Sequence, residues 1–204
     1  MIDIKLASEL GEDIREKVSE LFVDGFGKNF AFFSKDEQKL AKAFAHIFVL
    51  DVFYIAMIEG DIVGMTACTD GKTLSVRLNK HELRKYLGLY KGTLAYIFLK
   101  SEFEKSAMET GEKKASVEFV VTASKYRGNG VATTLMNYII NLPQYDEFIL
   151  EVADTNESAV QLYGKLGYKE FTRVKQKFSK ISGVNYLVYM KNIKQGDNAD
   201  SKLY

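Results

Sequence analysis

Apolar and polar positions alternate over residues 2–6, the period of a strand with one buried face. Over residues 12–25 the period lengthens, and Ile14, Val18, Leu21 and Phe22 recur on one face of an amphipathic helix. Gly25 or Gly27 is its expected end, because glycine favours helix C-termini. Phe26, Phe30, Phe32 and Phe33 crowd the following loop. Ser34 and Glu37 have capping-box spacing and predict a second helix that buries Leu40, Ala41, Phe44, Ile47 and Phe48. Residues 52–58 and 62–69 read as two strands joined by a tight hairpin at Glu59-Gly60-Asp61, with glycine and aspartate supplying its special dihedrals.

Two helical patterns follow, at about residues 80–89 and 93–103, broken at Gly92. Between residues 72 and 100, Lys72, Arg77, Lys80, Arg84, Lys85, Lys91 and Lys100 face only Glu82 in acid. One reading is a solvated helical face. The other is a basic lid over an acidic or polar acceptor, lined by Tyr86, Tyr90 and Tyr96. A strand carrying Val117, Phe119, Val120 and Val121 comes next, then a polar turn, then Arg127-Gly128-Asn129-Gly130. A helix with Val131, Leu135, Met136 and Ile139 on its buried side leads to Pro143, which stops it. Residues 148–152 form a short strand, and Asn156 or Thr155 caps a helix with Ala159, Leu162, Tyr163 and Leu166, ended by Gly167. Residues 168–178 and 186–191 read as a closing antiparallel pair with Ser182-Gly183 in the connection. The polar stretch 195–204 reads as a disordered tail.

Composition narrows the classes. The 204 residues are 47% hydrophobic and 27% charged, with a net charge of +1, so nothing argues for nucleic acid or a membrane surface. A single cysteine, Cys68, excludes an internal disulfide and suits a reducing compartment. With two histidines, His46 and His81, beside it, the usual metal sites are disfavoured. The N-terminus lacks the apolar run of a signal peptide, and no window is long and apolar enough for a membrane helix. A cytoplasmic protein is the expectation.

The chemistry-bearing stretch is SVEFVVTASKYRGNGVATTLM at 116–136. Strand, glycine-rich loop and helix start in that order make an anion cradle, since free amides at a helix start point at negative charge. Its spacing is neither G-x-x-x-x-G-K-[ST] nor G-x-G-x-x-G. K-Y-R-G-N-G-V-A instead resembles motif A of the GCN5-related N-acetyltransferases, with Lys125 where that family often has glutamine or arginine. LEVADTNESAVQLYGKLGY at 150–168 resembles motif B of the same family, in the form found in the N-terminal (ribosomal-protein) acetyltransferases.

The resemblance implies an α/β (α+β) fold: a mixed, mostly antiparallel sheet with a splayed central parallel pair, flanked by helices. Residues 1–194 then form a single domain with a helical insertion at about 72–105. It also implies acetyl-CoA as cosubstrate, no metal, and direct transfer to a peptide, protein or small-molecule amine in a ternary complex. A homodimer is open, as is a non-catalytic acyl-CoA-binding module. Cofactor contacts fall by resemblance on loop residues Tyr126, Arg127, Gly128, Asn129, Gly130, Val131 and Ala132, on Asn156 and Tyr163, and on strand residues Phe119, Val120 and Val121. The Val120 amide is the first choice of oxyanion donor. Tyr163 stands where the family places a proton donor to the leaving thiolate. Glu151, slightly ahead of Glu118, is the candidate general base. Cys68 lacks a motif histidine and does not read as a covalent relay.

Overall fold

The computed structural model describes residues 1–103, 111–176 and 183–194. In chain order the elements are β1 (Asp3–Leu6), α1 (Arg15–Phe26), α2 (Glu37–Phe44), β2 (Phe53–Ile58), β3 (Asp61–Thr69), α3 (Lys80–Leu87) and α4 (Leu89–Phe103). They continue with β4 (Lys114–Thr122), α5 (Val131–Ile140), β5 (Glu147–Ala153), α6 (Glu157–Lys165), β6 (Lys169–Lys175) and β7 (Tyr186–Ile193). Among the described residues seven strands form one sheet in the order β1-β2-β3-β4-β5-β7-β6. Every neighbouring pair is antiparallel except the central β4 and β5, which run parallel. This is the mixed sheet that the resemblance implies.

Helices cover both faces. On one, α1 and α2 bury Val18, Phe22, Leu40 and Phe44 against Phe53, Ile55 and Met65 of β2 and β3, and α3 and α4 add Leu83 and Leu99. On the other, α5 and α6 bury Met136, Ile139 and Tyr163 against Val117, Phe148, Leu150 and Val188. Removing each phenylalanine side chain from water stabilises the fold by roughly 1.5–3 kcal/mol.

Several local expectations change. Asp36, not Ser34, caps α2, and its carboxylate accepts the Lys39 amide at 3.0 Å. The Ser34 hydroxyl instead accepts the Asp36 amide, which sets the entry turn. The helix stops at Phe44, so Ile47 and Phe48 are buried by the following segment, which bonds to 75–77 through Val49–Ser75 and Arg77–Ile47 backbone pairs. Gly25 lies inside α1, and the helix ends at Phe26 with Gly27 as its C-cap, in right-handed rather than left-handed dihedrals. The hairpin places positive φ on Glu59 and Gly60, while Asp61 already belongs to β3.

In the segment between β3 and β4 the break falls at Gly88, with φ 83, and not at Gly92. Gly92 is buried in α4, where an added Cβ would lie 2.6 Å from the Arg84 Cα. Its missing side chain lets the two helices touch. Basic side chains of this segment lie over its own tyrosines: Lys85 over Tyr86, and Lys80 and Lys100 over Tyr96. Phe178, Ser182 and the tail 195–204 lie outside the described residues. No helix among the described residues is long and apolar enough to cross a membrane.

Candidate active site

β4 and β5 pair only from Lys114–Glu147 to Val117–Leu150. Beyond that point β4 stays with β3 to Thr122, while β5 follows β7 to Ala153. The two central strands therefore part, and the side of β4 toward β5 has no ladder partner from Glu118 onward among the described residues. A bulge lies just past the parting. Glu118 is opposite Ala67 and Val121 opposite Met65, so Phe119 and Val120 share Thr66. Phe119 adopts φ 53 there, and the buried Thr66 hydroxyl donates to the Glu118 carbonyl at 3.0 Å.

The glycine loop joins the far end of β4 to α5. Gly128 and Gly130 have φ 82 and 76, and Gly130 occupies the N-cap position with no side chain among the described residues capping the helix. Three loop amides are used inside the turn: Tyr126 donates to Ala123, Arg127 to Ser124 and Asn129 to Tyr126. The amides of Gly128, Gly130, Val131, Ala132 and Thr133 find no acceptor among the described residues. They form a cluster of donors at the positive end of a helix dipole. Asp24 of α1 braces the loop, accepting the Ser124 amide and hydroxyl at 2.6 Å each. Asp61 accepts the Tyr126 hydroxyl and the Lys125 ammonium. The Arg127 side chain is exposed and reaches back to the Thr122 carbonyl at 3.4 Å.

Asn156 caps α6, its side chain accepting the Ala159 amide at 3.3 Å. Tyr163 is buried beneath the sheet, with its ring 5.9 Å from Tyr168, and burial pushes its phenol up to about 12. The Tyr168 hydroxyl is buried without a partner among the described residues, and burial raises its pKa further. Glu118 and Glu151 project from the opposite sheet face to Val117 and Leu150, by strand alternation. Glu118 accepts the Ser75 hydroxyl at 2.5 Å and the Ser116 hydroxyl at 2.7 Å. It lines a small cavity with Thr69, Thr73, Leu74 and Phe103. Glu151 is exposed beside Tyr189 of β7, whose phenol is pushed up to about 12 by burial and by this carboxylate, with which it hydrogen-bonds. Burial, with the Glu118 charge second, pushes the Cys68 thiol up to about 12, so it stays protonated and unreactive at neutral pH. No three His, Cys, Asp or Glu side chains among the described residues converge as a metal site.

A model of the acetyltransferase (GNAT) family matches residues 15–168. The chain belongs to the GNAT family. Solved structures share the fold at low identity. An N-acetyltransferase from Staphylococcus aureus Mu50 has 15% identity and a TM-score of 0.60, over 93% of this chain and 100% of that one. A protein from Pyrococcus horikoshii OT3 has 16% identity and a TM-score of 0.59, over 96% and 99%. The ribosomal-protein-S18-alanine N-acetyltransferase from Escherichia coli has 13% identity and a TM-score of 0.56, over 100% and 99%.

In this GNAT chain the candidates gather around the parting of β4 and β5 without all touching. Phe119, Val120 and Val121 form its edge. The loop amides lie at the start of α5, reached from the far end of β4 through the turn 123–130. Tyr163 is packed under one face, while Glu118 and Glu151 project from the other. Ser75, Ser116, Thr66, Asp24, Asp61 and Tyr189 are contacts that sequence reasoning missed. Ser116 is two residues from its partner Glu118, but the others have partners far along the chain, as with Ser75 and Glu118 at a separation of 43 residues. No local spacing could have marked the distant ones.

Proposed function

We propose that the protein is an acetyl-CoA-dependent N-acetyltransferase that moves the acetyl group directly to an amine in a ternary complex. One observation carries the reading: the five amides at 128 and 130–133 lack acceptors among the described residues and belong to the strand-loop-helix unit whose strand parts from β5. Acetyl-CoA would bring the activated acetyl group, the thiol leaving group and a diphosphate. The amides hold the diphosphate, with Arg127 adding positive charge. Asn156 and the backbone of Phe119, Val120 and Val121 line the pantetheine arm, and the Val120 amide donates to the developing oxyanion.

Tyr163 keeps its proton through neutral pH, with a phenol at about 12. An ordinary thiol titrates near about 8.5, so complete proton transfer from this phenol is uphill. Its main contribution is then a hydrogen bond to the departing sulfur. Glu151, or Glu118 in its place, takes the proton of the incoming amine, directly or through water. The L-E-V and L-Y residues of the 150–168 block favour a peptide α-amine or a protein lysine as acceptor, by their resemblance to the N-terminal acetyltransferase branch. Residues 1–194 act as one domain in this reading.

Calorimetric titration with acetyl-CoA, followed by thiol release across amine classes, tests the proposal. Binding with release on one class supports it. Binding without release on any amine makes the protein an acyl-CoA-binding module, and no binding removes the basis of the reading.

A further inference from the structure

Three described non-glycine residues have positive φ: Glu59, Lys113 and Phe119. The first two lie in exposed turns, but Phe119 lies inside a strand. A left-handed conformation is uphill for a bulky L-residue, so the surroundings must hold it there. Four aromatic rings surround Phe119. Phe103 is the nearest, with centroids 5.2 Å apart at 89°, followed by Phe22 at 5.8 Å and by Phe26 and Phe53 at 6.2 Å each. Phe22, Phe26 and Phe53 belong to α1 and β2. Phe103 is the last residue of α4, within the segment between β3 and β4. Its edge-to-face geometry sets one ring's positive edge against the other's negative face.

We propose that Phe103 is a positioning residue that holds Phe119 in its left-handed conformation and thereby aims the Val120 amide at the reacting acetyl group. This rests on the acetyltransferase reading above. Two restraints meet at Phe119. Thr66 holds the Glu118 carbonyl and so fixes the peptide plane before Phe119. The ring cage fixes the Cβ direction. With both fixed, φ is set in the left-handed region, where sterics confine ψ to a narrow range, and ψ of Phe119 is what orients the peptide carrying the Val120 N–H. The helical insertion is then part of the catalytic strand's support, whatever else its surface does.

The test compares Phe103→Ala, Phe103→Leu and Phe103→Tyr in the full chain. Phe103→Ala should lower kcat by about tenfold or more while the acetyl-CoA Kd stays within about twofold, because the loop amides are untouched. Phe103→Tyr keeps the ring edge and should restore kcat. Phe103→Leu, which keeps apolar volume without an aromatic edge, should behave like the alanine variant and serves where alanine impairs folding. Adding Phe119→Gly to Phe103→Ala should cost little more than either change alone, as expected for two residues acting as a unit. A crystal structure of Phe103→Ala should show Phe119 at negative φ. Additive losses, parallel loss of kcat and affinity, or unchanged kcat would each overturn the proposal. If the unaltered protein acetylates no amine, the functional reading fails, and the Phe119 backbone in the variant structure still decides whether Phe103 holds it.

Discussion

Gly130→Ala isolates the backbone geometry of the loop from its shape. Gly130 sits at φ 76, ψ 6, and an added Cβ would meet no heavy atom within 4 Å. The cost is therefore conformational. A left-handed L-residue costs roughly 1–2 kcal/mol, offset by roughly 0.4–1 kcal/mol because the unfolded chain loses freedom. The net is about 1 kcal/mol of destabilisation, or about 2–4 °C in Tm for a chain of this size. If alanine relaxes instead, the amides that follow turn away. Each charge-assisted hydrogen bond to phosphate is worth roughly 1.5–3 kcal/mol, so loss of one weakens binding by about 10- to 150-fold. Gly130→Asn is the control, since asparagine tolerates the left-handed region. We expect the acetyl-CoA Kd to rise by about tenfold or more for alanine and by less than about threefold for asparagine. Scanning calorimetry and titration calorimetry read the two quantities. Equal Tm and equal Kd for the two variants would refute the reasoning.

Three further outcomes are expected. Tyr163→Phe should lower kcat with little change in acetyl-CoA Kd. It should also flatten the alkaline loss of stability. The folded phenol, at about 12, lies above its unfolded value near 10, so its contribution is whole below pH 10 and is lost as pH rises toward 12. At pH 11 the variant should lose about 1.4 kcal/mol less than the parent in guanidinium unfolding, and identical losses would contradict the buried phenol. Glu151→Gln should reduce kcat at pH 7 by about a hundredfold or more at unchanged Kd, the scale of a general base; a silent Glu151→Gln with an impaired Glu118→Gln transfers the role to Glu118. Gly92→Ala should destabilise the chain by roughly 1–3 kcal/mol in urea, because its Cβ would lie 2.6 Å from backbone that cannot yield. An exposed helix site would gain roughly 1 kcal/mol from the same change, so the sign alone decides.

What was legible in the sequence is what rests on local pattern. The order of strands and helices follows from apolar spacing, glycines at the loop and the helix caps, and among the described residues it survives in the structure with ends moved by a few residues; the two motif blocks are legible as a family resemblance. Where one residue type serves two purposes, local reading chose wrongly. The sequence pattern runs a helix through Gly88 and breaks at Gly92, yet Gly88 turns the chain, and Gly92 instead lets two helix backbones meet. Ser34 and Asp36 can both cap, and the carboxylate took the position nearest the helix start. The bulge in β4 was hidden for a deeper reason. Positive φ is read from glycine or asparagine, and F-V-V at 119–121 offers neither. The conformation at Phe119 is imposed by rings from α1, β2 and α4 and by a hydroxyl on β3. A strand with a strong local preference for extension keeps a strained residue only if the restraints around it outweigh that preference together. Such a site is specified by packing between elements, so the sequence names its members without revealing that they meet.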